Sequence, residues 1–383
     1  MGYMNRGFCK RGMQLKTNAM GYQLRNHIPL AGPATREPCD GTEGRLRVSM
    51  GFTPRWYHDR LGVDFDQKWH LDPEYRYSSL VRMKELLHSK FPTIPYFTPR
   101  YTAGIEPTCA TISSVYGILL IPMIYGAIPM YSVDGWPDAK PIYTFEDLKN
   151  QPEIHLDTNP TLNQLDSQMD FIASHWGAIH GYLNYQGMLN IAVKLRGSEL
   201  FIDLLEEPEV VKSFLWHIAE TIEAVSKRVQ ERQRASGFPV DLLSMSNCTV
   251  SMISAGQYEE FLLPLDKHLS TRYPRFGIHT CNWVADRYLD AMRKIDKMGY
   301  LDTGVKSDLP RIKRMFPDTR RALLITPGEL ETMDESELLS MVTKIDQEYA
   351  PCDIVLADLE TTITDERVRS ILDLIASVEA GRK

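Results

Sequence analysis

From Arg45 onward the chain alternates short apolar runs with amphipathic stretches. RLRVSMGF (45–52) reads as a first strand, and SSLVRMKELLHSKF (78–91) spaces Leu80, Met83, Leu86 and Leu87 at helical intervals. Residues 197–237 carry two helical patterns, broken near Pro208 and stopped at Gly237. DLLSMS (241–246) is a strand candidate, and AGQYEEFLLPLDKHLSTRY (255–273) is helical with an interruption at Pro264. FGIHTC (276–281), GYLDTG (299–304), RALLIT (321–326) and DIVLADLE (353–360) read as further strands. Predicted helices over 284–297, 308–316 and 334–348 separate them, and one over 364–380 closes the chain. Strands alternating with helices predict βαβ units and a parallel sheet. Five such strands in the last 145 residues, with room for three earlier, predict an α/β fold of the (β/α)₈ TIM-barrel type. Residues 1–44, polar and rich in turn formers, read as an N-terminal extension, and 45–383 as the barrel. The Pro-, Gly- and aromatic-rich stretch 92–145 is expected to be irregular and to lie over one end of the fold. An open doubly wound sheet is the competing architecture, but no GxGxxG follows a strand.

A length of 383 residues exceeds one ordinary domain of about 150 residues and suits a single large barrel. The 43 basic residues against 50 acidic ones leave a net charge of −7, which repels phosphate backbones and excludes nucleic acid as the main partner. The apolar stretch from Tyr116 to Tyr131 is interrupted by Gly117, Pro122, Gly126 and Pro129. It falls short of the roughly 20 residues a membrane span needs and reads as buried core. MGYMNRGFCKRG has charges but no apolar run behind it, so no signal peptide is expected. Cysteines at 9, 39, 109, 248, 281 and 352 are too scattered for a disulfide framework. The expectation is a soluble cytoplasmic enzyme with reduced thiols.

In a barrel the chemistry sits where the strands end. FGIHTC ends in His279-Thr280-Cys281, and the period of two along a strand puts His279 and Cys281 on one side. An imidazole and a thiolate so placed can grip zinc at two points, although His-x-Cys alone is a common pattern. For a third ligand the last strand offers Asp358 and Glu360 at its end and Cys352 at its start. Six residues at about 3.3 Å each put Cys352 roughly 20 Å from Asp358, so the carboxylates are favoured. Buried core cysteine and a hydrogen-bonded histidine are the plain alternative. Asn247, Cys248 and Asp302 also fall at strand ends, with Asn184 and Tyr185 after a possible strand near Tyr182. They are candidates to line the pocket, Asn247 and Asp302 as catalytic groups and Asn184 and Tyr185 as substrate contacts. Arg55 and Trp56, in TPRWYHDRLGVDF (53–65), are candidates to hold an acidic or planar ligand.

Four stretches carry a family resemblance: LRGSELFIDLLEEPEVV (195–211), SAGQYEEFLLPLDKHL (254–269), GIHTCNW (277–283) and DLETTITDERVRSIL (358–372). With these the chain resembles the uroporphyrinogen decarboxylase superfamily, which includes corrinoid-dependent methyltransferases, over roughly residues 45 to 380. The resemblance implies a TIM barrel with its pocket at the strand C-termini. Its methyltransferase branch carries a His-x-Cys near a strand end, matched here by His279 and Cys281, and a third zinc ligand, usually cysteine, before the last helix. Asp358 stands about where that cysteine would be. The decarboxylase branch carries an arginine-rich N-terminal motif that GRLRVSMGFTPRW does not reproduce. The implied activity is zinc-dependent methyl transfer between a small methylated compound and a cobalamin-type corrinoid carried by a separate partner protein. A decarboxylase, or a non-catalytic corrinoid- or tetrapyrrole-binding barrel, is the alternative.

Overall fold

The computed structural model describes residues 44–381, so most of the expected N-terminal extension lies outside the described residues. Six parallel strands form one sheet: β1 (Leu46–Phe52), β2 (Leu242–Ser246), β3 (Arg275–His279), β4 (Met298–Gly304), β5 (Arg320–Ile325) and β6 (Cys352–Leu359). Their order is β1-β6-β5-β4-β3-β2, so each of β2 to β6 lies beside its neighbour in sequence. The strands are buried almost throughout, which explains why they read as near-continuous apolar runs and not as alternating ones.

The eight expected strands are met by these six among the described residues. Beyond β2, Gln186 makes a single parallel bridge to Ser246 and Thr111 a single parallel bridge to His180. The possible strand near Tyr182 is therefore an irregular segment. Gly181 explains the interruption: its φ is +103°, and a Cβ there would lie 2.1 Å from Thr111 Oγ1. A left-handed residue cannot continue a ladder.

Helices cover the sheet with one apolar stripe each. The longest, Pro208–Ala235, starts on a proline and buries Val211, Phe214, Leu215, Ile218, Ile222, Val225 and Val229 at spacings of three and four. The predicted helix over 255–273 is split as expected near Pro264, into Ala255–Gln257, a wide π turn over Tyr258–Leu262, and Leu263–Arg272. The helix predicted over 284–297 shrinks to a 3₁₀ turn, Asp286–Tyr288, and the single turn Leu289–Met292. Much of the chain after β3 goes instead into the loop that carries Cys281. No helix among the described residues is long and apolar enough to cross a membrane.

The two faces of the sheet differ. One carries the large helix-packed core, while the other carries a small cluster of Tyr300, Ala322, Leu324, Val355 and Ala357. Register places Arg47 opposite Asp353, Asp353 opposite Ala322, and Asp302 opposite His279, all on this second face. It is layered along the strands. At the base Asp353 accepts from Arg47 Nε at 2.8 Å and from Arg320 at 2.6 and 2.8 Å, with all three residues under 5% exposed. The apolar cluster fills the middle, and His279 and Asp302 stand at the C-terminal end.

Burial opposes ionisation of Asp353, yet the two guanidiniums outweigh it and hold the carboxyl below its ordinary range. A depressed carboxyl stabilises the fold above the ordinary value of about 4 and loses that contribution as pH falls through the lowered value. Asp353→Ala leaves two buried cations facing each other, so denaturant unfolding at pH 7 should show a loss of about 3–5 kcal/mol. The gap to the unaltered protein should narrow below about pH 4. A variant as stable as the parent at neutral pH would contradict this reading of the base.

Candidate metal centre

The loops at the C-terminal ends of β2 and β3, with Asp302 on neighbouring β4, build the site. Ser246 ends β2, Asn247 follows, and Cys248 opens the 3₁₀ turn Cys248–Met252. The Asn247 amide donates to His279 O at 2.7 Å, which holds the end of β2 beside the end of β3. Asn247 is buried against Gly187, where a Cβ would lie 1.9 Å from Asn247 Oδ1. His279 is the last residue of β3. Thr280 turns inward, its hydroxyl donating to Asp302 O at 2.7 Å, and Cys281 then takes a left-handed φ of 60°. Non-glycine residues pay of order 1–3 kcal/mol for such strained backbone, and it persists where the surroundings over-determine it. Here the Cys281 loop is pressed against β4: Gly304 N donates to Trp283 O at 3.2 Å, and a Cβ on Gly304 would lie 1.9 Å from Asn282 O.

The result is a convergence of Cys248, His279 and Cys281, whose donor atoms all lie within 4.8 Å of one another. His279 Nε2 is 3.1 Å from Cys281 Sγ. On its other side, Nδ1 donates to Asp302 Oδ2 at 2.6 Å, because an ionised carboxylate can only accept. Asp302 has no exposure to solvent and takes two further bonds, from Tyr300 OH at 2.8 Å and from Thr280 N at 2.7 Å.

This environment shifts the proton affinity of all three groups. Burial disfavours a charged His279, but the Asp302 carboxylate and Cys248 outweigh it and raise the imidazole to about 10. The hydrogen bond from Cys281 lowers the Cys248 thiol against the opposing effect of burial, with His279 assisting. Cys281 is raised, first by that same bond and then by burial. The Cys248 thiol is thus the more acidic of the two sulfurs, and His279 the group that the neighbouring carboxylate makes more basic. Two sulfurs and an imidazole nitrogen form a donor set suited to a soft divalent ion. Asp302 does what carboxylates behind metal-bound histidines do: it fixes the tautomer and aims Nε2. The residues present thus fit a metal ion.

The sequence candidates distribute unevenly around this centre. His279 and Cys281 belong to the convergent group, and Asp302 lies directly behind it. The third member is Cys248, which the sequence reading had placed only in the pocket lining, and not Asp358, Glu360 or Cys352. Cys352 pairs with Leu46 at the base of the sheet, is fully buried, and burial raises its thiol to about 12. Asp358 sits near the cluster on left-handed backbone with φ 51°, at the end of β6. Burial, outweighing His279 and reinforced by Glu360 and Cys248, raises its carboxyl. Glu360 is occupied by Thr53, whose hydroxyl donates to it at 3.1 Å. Asn184 reaches the pocket beside the cluster, while its neighbour Tyr185 points the other way and is buried. The expected substrate wall at Arg55 and Trp56 is displaced. Trp56 is core, its ring 4.3 Å from that of Phe52 in a tilted contact and covered by Arg60, and Arg55 pairs with Asp134 at 2.6 Å on the surface. A pocket of about 420 Å³ opens onto Cys248 and His279 and is lined by Asn184, Gln186 and Asn190 among others. Neither Gln186 nor Asn190 was singled out in the sequence. The parity of Asn184 and Gln186, and the helical step from Gln186 to Asn190, was the available signal.

The fold has a solved counterpart. A methyltransferase from Methanosarcina mazei is similar with a TM-score of 0.63 at 12% sequence identity, over 93% of this chain and 99% of that one. No family model and no curated protein matches the chain. At that identity the likeness establishes a shared fold.

Titration with cobalt(II) should give one bound ion per chain and an intense thiolate-to-metal absorption band. Cys248→Ala and Cys281→Ala should each abolish it, whereas Cys352→Ala and Glu360→Gln should leave it unchanged. An intact band in Cys248→Ala would remove that residue from the centre. Asp302→Asn should weaken metal affinity by roughly 10- to 100-fold without changing the stoichiometry, the range typical of losing a carboxylate behind a histidine ligand. Unaltered affinity would mean that Asp302 does not orient His279.

Proposed function

We propose that this chain is a zinc-dependent methyltransferase of the uroporphyrinogen decarboxylase superfamily, built on a (β/α)₈ barrel. In this reading it moves a methyl group between a small methylated compound and a cobalt corrinoid carried by a partner protein. The observation that carries the reading is the convergence of Cys248, His279 and Cys281 over a buried carboxylate, at the C-terminal edge of a parallel sheet. The fold likeness to a methyltransferase and the His-x-Cys spacing point the same way.

Zinc favours the donor set of two thiolates and one imidazole and, when bound, supplies Lewis acidity that polarises a coordinated heteroatom. Cys248, His279 and Cys281 are the residues that would hold it. The remaining work falls to the chain itself. Asp302 retains the Nδ1 proton of His279 and so keeps Nε2 free to ligate. A metal held here would need the cysteine thiols and His279 Nε2 free of their protons, so its binding would be coupled to proton release. Thr280 ties the His279-Cys281 turn to β4, so the two ligands stay in register with Asp302. The pocket beside Cys248 and His279 receives the small substrate, and Asp358 is a nearby carboxyl able to hold a proton. The methyl leaves without its bonding electrons, and the heteroatom it departs from takes up a proton. In this reading the corrinoid is carried by a separate protein.

The zinc-loaded protein, incubated with reduced cobalamin and a panel of methoxy, methylamine and methylthiol compounds, should produce methylcobalamin from at least one of them, followed by its absorbance. The reverse direction would appear as demethylation of methylcobalamin by a thiol. Cys281→Ala should fall to the uncatalysed background in either direction. If the fully metallated protein with its own corrinoid partner transfers methyl in neither direction, the reading is overturned.

A further inference from the structure

The pocket beside the metal centre carries a chain of amides whose orientation can be settled from one end. The backbone N–H of Thr249 can only donate, and it donates to Asn190 at 2.9 Å, so the accepting atom is Oδ1. The Asn190 Nδ2 group is then the donor to Gln186 Oε1 at 2.9 Å. That leaves Gln186 Nε2 to donate to Asn184 Oδ1 at 3.0 Å, where Ser246 Oγ also donates at 2.9 Å. Each link forces the next, so none of the three amides can flip without breaking the relay. At its end Asn184 Oδ1 is doubly occupied, and the Asn184 Nδ2 group has no protein acceptor among the described residues. Asn184 is half-buried and lines the pocket. The relay thus presents one fixed hydrogen-bond donor to whatever enters.

The other walls narrow the ligand further. Ile118, Pro141 and Val193 supply apolar surface. No carboxylate among the described residues lines this pocket, and its one ring, the His279 imidazole, is held between Asp302 and the cysteine sulfurs that would be committed to the metal, so a quaternary ammonium would find neither a carboxylate nor a phenol or indole face. The lining cation, Lys194, is paired with Asp138 at 2.6 Å, so the pair leaves no unmatched charge for a ligand to meet. At about 420 Å³ the pocket is also much larger than a one-carbon compound requires.

We propose that this pocket binds an uncharged methyl ether with an apolar body, whose oxygen accepts a hydrogen bond from Asn184 Nδ2. The proposal rests on the methyltransferase reading and names the substrate class for that site. The ether oxygen lies against the donor, the hydrocarbon body lies against Ile118, Pro141 and Val193, and charged methylamines find no carboxylate in the lining to pair with.

The test is a ligand-observed NMR titration of the zinc-loaded full chain with benzyl methyl ether, its hydrocarbon isostere propylbenzene, and tetramethylammonium. The ether should bind about tenfold more tightly than propylbenzene, which corresponds to one net hydrogen bond. Asn184→Leu should erase that preference. Asn184→Asp keeps the oxygen that Gln186 and Ser246 bind but replaces the donor with a charge, so it should weaken the ether and admit tetramethylammonium. Thermal melts identify any variant that fails to fold, and the parent's own ether preference stands as a test without either variant. Equal affinity of the parent for ether and hydrocarbon would overturn the proposal. So would an ether preference surviving in Asn184→Leu, or tighter binding of tetramethylammonium by the parent. The titration contains no corrinoid. Ether binding without methyl transfer would sink the function and keep the pocket, whereas transfer from methylammonium but never from an ether would do the reverse.

Discussion

A carboxylate with no access to water has to find its hydrogen-bond donors inside the protein, and the arrangement around Asp302 follows from that requirement. Its three donors come from its own strand (Tyr300 OH), from the turn beyond the neighbouring strand (Thr280 N) and from the end of that strand (His279 Nδ1). Satisfying all three sets how β3 and β4 lie against each other near their C-terminal ends, with His279 opposite Asp302. It also decides which imidazole nitrogen faces the sulfurs. A slip of one residue would turn His279 to the helix-packed face and leave the acid unpaired. Register, tautomer and ligand direction are therefore one constraint expressed three ways.

The sulfurs reach the imidazole by different routes. Cys248 arrives through a short helical turn held by the Asn247 amide. Cys281 arrives through left-handed backbone that only the close approach of Gly304 permits. Asp358, at the end of β6, has the same unfavourable backbone sign. Two strained non-glycine residues near one cluster, each at a strand end, fit the tendency of backbone strain to gather at functional sites.

Much of the sheet was legible in the sequence because a parallel strand buried on both faces is a continuous apolar run bounded by turns. RALLIT and DIVLADLE match β5 and β6 to within a residue at each end. The two missing strands were not legible as irregular, because Gly181 ends a ladder through a backbone angle that leaves no trace in hydropathy. His279 was legible as a strand-end residue and Cys281 as its near neighbour, but the period-two parity does not extend to Cys281: β3 ends at His279, and left-handed backbone brings the thiol back beside the imidazole. Cys248 was not legible, since its place depends on β2 and β3 being adjacent and on a 3₁₀ turn that begins one residue after Asn247. The helical pattern over 284–297 misled for a related reason: apolar spacing suited to a helix instead lines a loop that packs Ala285 and Tyr288 into the core. Tertiary contact overrode local preference there.

The buried Arg47–Asp353–Arg320 cluster and the metal-binding trio lie at opposite ends of the same sheet, on different strands, with the cluster of Tyr300, Ala322, Leu324, Val355 and Ala357 between them. Substitutions at separated sites that share no partner combine additively in their effect on folding. The loops after β2 and β3, and the amide-bearing segment at Asn184 to Asn190, can therefore change without disturbing what closes the base. A lineage with this layout can explore new ligands by drift at the mouth while selection on stability acts elsewhere. The separation of base from mouth makes the pocket evolvable.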